Sequence, residues 1–279
     1  MVNCFVCQFT AFIGALVNFS LVSEHIVKWL DQYCSQSKMS GFVVGVSGGV
    51  DSAVTSTLCA LTGKAVSVIS MPIYQKKHQL ELAQQHMDWM DQKFSNVEKN
   101  ELDLSAVFGS IEKHFPTQLQ DPLTMANTRS RLRMLTLYAY AGSARRLVAG
   151  TGNKVEDFGV GFFTKYGDGG VDLSPIADLG KTEVYGLAKH LEIVKGILDA
   201  APTDGLWEDD RTDESQLGAS YEELEWAMKF EKKNSMQTSD EQTLNGRQRE
   251  VLTIYRQFHS ANKHKMVEIP VCKIPDTLY

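Results

Sequence analysis

The run Gly45-Val46-Ser47-Gly48-Gly49-Val50-Asp51-Ser52 places two hydroxyls, a glycine pair and a carboxylate together. It follows the apolar stretch Gly41-Phe42-Val43-Val44 and leads into Ala53-Val54-Thr55-Ser56-Thr57-Leu58, a pattern that reads as strand, tight loop and helix N-terminus. Such a loop is an anion site. Glycines allow the backbone to approach a ligand and to adopt positive φ, and the free N–H groups and dipole of the following helix attract phosphate. Ser47 and Ser52 add hydroxyl donors, and Asp51 suits the Mg²⁺ that accompanies phosphates. The chain has neither G-x-x-x-x-G-K-[ST] nor G-x-G-x-x-G, so the loop is not of the Walker or dehydrogenase kind.

Further along, Asn127, Arg129, Arg131 and Arg133 crowd the first half of a helix expected over Leu123 to Gly142, whose second half, Met134 to Tyr140, is apolar. Helical spacing groups 127, 131 and 134 on one face, so Asn127 and Arg131 are expected to point together into a site while Arg133 pairs elsewhere. Gly150-Thr151-Gly152-Asn153 is a second glycine-flanked turn at the end of an apolar run. The segment from Gly161 to Asp172 combines glycines, charges and aromatics in a way that fits a binding loop, with Lys181 close behind. Pro202 to Gly218 is rich in acids and reads as either a lid or a solvated loop.

The elements that must position these groups alternate. Phe42 to Val46 and Ala65 to Met71 read as buried parallel strands joined by a helix from Asp51 to Leu61 that stops at Thr62-Gly63. Val97 to Leu102 and Leu147 to Gly150 add further strands, and helices are expected over Ser23 to Cys34 with Ser23 as N-cap, Gln75 to Phe94, Thr182 to Leu191, Ser220 to Phe230 and Ser239 to Phe258. The expected fold is α/β, a doubly wound, mostly parallel sheet with helices on both faces. Ligands of such sheets gather at the carboxyl ends of the strands, where both glycine turns fall. His78 and His86 lie on one helix without a third ligand, so they are assigned to a solvated face.

Composition bounds the function. A net charge of −6 and 43% hydrophobic residues describe a globular chain without the basic excess of a nucleic-acid-binding surface. Cys4, Cys7, Cys34, Cys59 and Cys272 form no paired zinc pattern and read as reduced, cytoplasmic thiols. The apolar stretch Phe5 to Phe19 is too short to span a bilayer and has no basic residue before Lys28, so residues 1–22 are taken as an N-terminal extension and 23–279 as one domain.

S-G-G-x-D-S resembles the pyrophosphate loop of the N-type ATP pyrophosphatases, which implies an adenine-nucleotide α-hydrolase-like fold and ATP cleavage between the α and β phosphates. The ordered set S-G-G-V-D-S, N-T-R-S-R-L-R-M, G-T-G-N-K-V-E, G-F-F-T-K-Y-G-D-G-G-V-D-L-S-P, A-P-T and H-K resembles the ammonia-dependent NAD synthetases. That resemblance implies ATP, Mg²⁺, ammonia and deamido-NAD as participants, and a homodimer. It implies phosphate binding by Gly45 to Ser52 and ATP contacts from Thr151, Lys181 and Thr203. Mg²⁺ would be held by Asp51 and Glu156, and deamido-NAD by Arg131, Lys165, Asp172, His264 and Lys265. Asp172 and Lys181 are the implied catalytic groups, Asp172 beside the incoming ammonium.

Three departures from the family pattern stand out. Ser70 replaces a strand-end arginine, one extra residue between Glu156 and Gly161 makes Asp157 an alternative metal ligand, and Thr203-Asp204-Gly205-Leu206 replaces T-A-D-L. Amidation of nicotinate mononucleotide is an open alternative. A tRNA-modifying pyrophosphatase is disfavoured by the acidic charge, and a nucleotide sensor by the retained charged residues. With 279 residues already filled, the sequence leaves no room for an amidase domain, so ammonia is expected from solution or a separate glutaminase.

Overall fold

The computed structural model describes residues 17–75, 77–200, 212–234 and 241–279. Four parallel strands, β1 (Gly41–Gly45), β2 (Ala65–Ser70), β3 (Val97–Glu101) and β4 (Leu147–Val148), run in the order β3-β2-β1-β4. The chain steps outward from β1 to β2 and β3, then returns to place β4 on the other side of β1. The order therefore reverses between β1 and β4, the position at which open α/β sheets bind ligands.

Strand alternation divides the core. Phe42, Val44, Val66 and Val68 face α1 (Phe19–Gln36), α2 (Val50–Leu61), α3 (Lys77–Lys93) and α6 (Lys181–His190) through Ile26, Leu30, Val54, Leu58, Met87 and Leu187. Val43, Ile69 and Val148 face α4 (Ser105–His114) and α5 (Pro122–Ala144) through Phe108, Met125, Leu132 and Leu137. Helices thus cover both faces, as the alternating pattern predicts. The short α7 (Lys195–Asp199) adds Ile197 to the first face. A third apolar cluster joins a π-helical turn, Val155–Val160, to α8 (Asp213–Leu217), α9 (Tyr221–Asn234) and α10 (Gly246–Met266) through Val155, Leu217, Leu224, Val251 and Tyr255.

Several expectations are corrected. Helix α1 is capped by Asn18, whose side chain accepts from the Leu21 amide at 3.2 Å, while Ser23 is buried inside the helix. His86 is not on a solvated face: it is fully buried, with Nε2 2.9 Å from Ser56 Oγ on α2, and burial lowers its pKa to about 4. Helix α10 starts at Gly246, where Asn245 and Gln248 form a capping box, and it runs on through Asn262, His264 and Lys265. Strand β4 is only two residues long, extended by a bridge between Ala149 and Leu173. Helix α4, absent from the sequence reading, fills the α5 face with Phe108. Residues 1–16, Thr203, the T-D-G-L segment and the acids from Glu208 to Asp210 lie outside the described residues. Among the described residues no helix is long and apolar enough to cross a membrane.

Candidate active site

A cavity of about 750 Å³ opens at the carboxyl ends of β1 and β4. One wall is the loop Gly45 to Ser52. Gly48 has φ +88°, and a Cβ there would come within 2.9 Å of Gln79 O and 3.0 Å of Ala83 N, so the turn can pass close over α3 only as glycine. The loop is stitched locally: Gly49 N donates to Ser47 Oγ (3.2 Å) and Ser52 Oγ donates to Gly49 O (2.9 Å). Beyond it, the first turn of α2 presents amides that have no intrahelical acceptor, the arrangement that binds phosphate.

Beside this loop three charged groups converge. Lys181, the first residue of α6 and 4% exposed, places Nζ 2.5 Å from Asp51 Oδ2 and 3.1 Å from Glu156 Oε1. Burial works to lower the lysine pKa, but the charges of Asp51 and Glu156 outweigh it and hold the ammonium above its ordinary range. Burial raises the Asp51 carboxyl, with Lys181 opposing. Asn153 Nδ2 donates to Asp51 Oδ1 at 3.3 Å, and Asn153 Oδ1 accepts from the amides of Val155 and Glu156 at 3.1 and 3.2 Å, which joins the two glycine turns through one side chain. Two carboxylates facing one ammonium leave a surplus negative charge. Hard oxygen donors with surplus charge next to a phosphate loop fit Mg²⁺, which takes one or two carboxylates and completes its shell with phosphate and water. Among the described residues no cluster of three or more His, Cys, Asp or Glu side chains forms a metal cage by itself. Asp157, next in sequence, also lines the cavity but does not touch Lys181; burial and the neighbouring carboxylates push its pKa up to about 8.

The opposite wall is irregular. The segment after the π-helical turn is held by one face of α10: His259 Nδ1 lies 2.8 Å from Gly159 O, Asn262 Nδ2 donates to Val160 O at 2.8 Å, and Lys265 Nζ donates to Phe163 O at 2.8 Å. Gly161 has φ +65°, and a Cβ there would meet Asn262 Cβ at 2.4 Å. Asp168 lines the cavity, with Oδ1 accepting from Ser130 Oγ at 2.6 Å and from Thr164 N at 3.1 Å; burial of the carboxyl raises its pKa, with these hydrogen bonds opposing.

The residues singled out from sequence divide accordingly. Gly45 to Ser52, Thr151, Glu156, Lys181 and Lys265 line the cavity. Arg131, Lys165, Asp172 and His264 lie outside it. Arg131 is exposed and donates from Nε to Lys165 O (3.2 Å), and Lys165 Nζ donates to His264 O (3.2 Å). Asp172 accepts from Tyr138 Oη (3.0 Å) and the Val148 amide (2.8 Å). The cavity face of α5 is Asn127, Ser130, Arg133 and Met134, so Arg133 and not Arg131 joins Asn127; its Nε donates to Met71 O at 3.0 Å and holds the end of β2 where Ser70 stands. Asn153, Asp168 and Tyr221 are not among the predicted site residues, although Asn153 and Asp168 carry a signal as polar residues inside glycine-rich turns; Asp213, one of the acids of the Pro202 to Gly218 loop, lines the cavity.

The family model described as NAD synthase matches residues 22–268. An NH(3)-dependent NAD(+) synthetase from Carboxydothermus hydrogenoformans is 40% identical over 211 residues, 75% of this chain and 85% of that protein. One from Archaeoglobus fulgidus is 36% identical over 266 residues, 94% of this chain and all of that protein. Among solved structures, an NMN synthetase from Francisella tularensis superposes with a TM-score of 0.78 at 28% identity, covering 94% of this chain and 100% of the other.

Proposed function

The chain belongs to the NAD synthase family, and from that membership we propose that it amidates deamido-NAD to NAD, consuming ATP and ammonia and releasing AMP and pyrophosphate. The observation that carries the reading is a single cavity lined by the phosphate loop, the Asp51–Lys181–Glu156 cluster and the loop that ends at Asp168.

The nicotinate carboxylate attacks the α-phosphorus of ATP and the bond to pyrophosphate breaks. Ammonia then attacks the acyl-adenylate carbonyl, AMP leaves, and one proton of the attacking nitrogen is given up. The amides and hydroxyls of Gly45 to Ser52 receive the phosphates, with Lys181 and Thr151 beside them. Asp51 and Glu156 would hold Mg²⁺, which when bound would supply charge neutralisation on the phosphoryl oxygens. Glu156 is preferred to Asp157 because it shares Lys181 with Asp51. Asp168 lines the cavity and Asp172 does not, so Asp168 is assigned here the place beside the ammonium that the family resemblance implies for Asp172.

A homodimer explains why Arg131, Lys165 and Asp172 sit outside the cavity. On α5, Arg131, Leu135 and Tyr138 form one exposed stripe, with Leu135 67% exposed, whereas Met134 and Leu137 face inward. A second copy covering this stripe would enclose a dinucleotide that extends past the cavity; light scattering reads the mass. The similarity to an NMN synthetase favours a second reading, amidation of nicotinate mononucleotide. One assay separates the two: ATP, Mg²⁺ and ammonium with each acceptor in turn. Faster AMP release with the dinucleotide supports the first reading, faster release with the mononucleotide supports the second, and none with either overturns both.

A further inference from the structure

We propose that Tyr221 is a positioning residue that fixes Glu156 for the divalent cation. The proposal rests on the amidation reading only through the identity of the phosphate ligand. Tyr221 opens α9 and is 3% exposed, its ring packed in the cluster of Leu217 and Leu224. Its hydroxyl lies 2.6 Å from Glu156 Oε1 and 3.2 Å from Asp213 Oδ2, and Lys181 Nζ stands 4.8 Å from its ring centroid. One buried side chain therefore touches Glu156, Asp213 and Lys181 together.

The geometry is directional. Glu156 Oε1 accepts from both Lys181 Nζ (3.1 Å) and Tyr221 Oη (2.6 Å). Among the described residues no hydrogen bond reaches Oε2, so the second oxygen is left to a cation. A phenol has one proton to donate, and the shorter contact marks Glu156 as its acceptor. Without the hydroxyl, Oε1 keeps only Lys181, which also serves Asp51, and the carboxylates of Glu156 and Asp213 lose the donor that stands between them. Glu156 is then free to rotate, and the cation must reorder it on binding.

The test uses the full chain, calorimetric titration with ATP in the presence and absence of Mg²⁺ and no acceptor, so no turnover is needed. Tyr221→Phe keeps the ring and its contact with Lys181. Expected is Mg·ATP affinity roughly tenfold below wild type, the scale of a lost charge-assisted hydrogen bond, with ATP affinity in EDTA unchanged within about twofold and a Tm lowered by no more than roughly 2–4 °C per kcal/mol of that bond. Equal losses with and without Mg²⁺ would mean a packing defect and overturn the proposal. A Tyr221→Phe chain whose Mg·ATP affinity stays within about twofold of wild type would also overturn it. A wild-type chain that binds Mg·ATP but amidates neither acceptor would sink the functional reading while leaving this inference standing.

Discussion

The two walls of the cavity are built by different means. At the phosphate end, the serine hydroxyls close the turn through bonds between residues two to five apart, Ser47 to Gly49 and Ser52, on the ends of regular elements, and only Asp51 reaches across to Asn153 and Lys181 among the side chains described there. At the opposite end, four bonds join the loop from Gly159 to Lys165 to α10 across 99 to 102 residues, and two more tie it to α5, from Thr164 Oγ1 to Asn127 Oδ1 and from Arg131 Nε to Lys165 O. The first wall is a local structure that the sheet core carries in place. The second exists only when two remote segments of the chain have met. A change in the first wall should therefore remove chemistry and spare the fold, whereas a change in the second should damage both.

The largest effect is expected from Asp51→Asn. The substitution removes one of the two carboxylates proposed to hold Mg²⁺, and metal or charge stabilisation of a phosphoryl transition state is worth several kcal/mol. Pyrophosphate release should fall by at least about a hundredfold. Stability should change by no more than about 1 kcal/mol, the scale of an ordinary hydrogen bond, because Lys181 keeps Glu156 as its partner. Pyrophosphate release at the wild-type rate would remove Asp51 from the metal site. Unfolding of the variant would erase the contrast between the walls.

The same contrast governs what the sequence disclosed. Gly45 to Ser52 was legible because its function is local: strand, glycine pair and helix start follow one another, and each residue's role depends on near neighbours. The doubly wound sheet was legible for a similar reason, since apolar runs and turns alternate along the chain. Arg131 and Arg133 show where spacing stops. Helical periodicity puts either on a face, but which face meets the cavity depends on how α5 lies against β1, and no periodicity contains that. Tyr221 and Asn262 gave no signal because they act on residues some 65 and 102 positions away. His86 was misread because a polar residue in a polar helix looks solvated until its Ser56 partner is seen. The motif resemblance placed Arg131, Lys165 and Asp172 near the substrate without saying that they lie outside this chain's own cavity.

An intermediate effect is expected from Asn262→Leu on the second wall. The side chain is half-buried, and its loss strands the Val160 carbonyl, which costs about 1–3 kcal/mol. For a chain of this size that lowers Tm by roughly 2–4 °C per kcal/mol. Because Gly161 rests directly against Asn262 Cβ, the loop should also shift relative to Asp168, and kcat/KM should drop about tenfold, since misplacements near 1 Å carry penalties of this order or larger. A variant that loses Tm but keeps kcat/KM would show that the α10 contacts hold the fold and not the site.

The smallest effect concerns the support behind the first wall and is read as stability against pH. His86 lies on α3, the helix that Gly48 passes over, and bonds α3 to α2 through Ser56. Its pKa, lowered by burial to about 4, is below the unfolded value near 6.5. The unfolded chain thus binds a proton that the folded chain refuses, so the contribution is favourable to folding above about pH 6.5 and is lost as pH falls from there towards 4. Between pH 7.5 and 5.5 this single group should cost about 1 kcal/mol of unfolding free energy. Carboxylates titrate over the same range, so the measurement that isolates it is a difference: urea unfolding of wild type and His86→Gln at both pH values. The variant, having no group to protonate there, should lose about 1 kcal/mol less than wild type on acidification. Equal losses would mean that the His86 pocket admits water and a proton in the folded state, and that the core under the phosphate loop is less closed than the geometry of α2 and α3 requires.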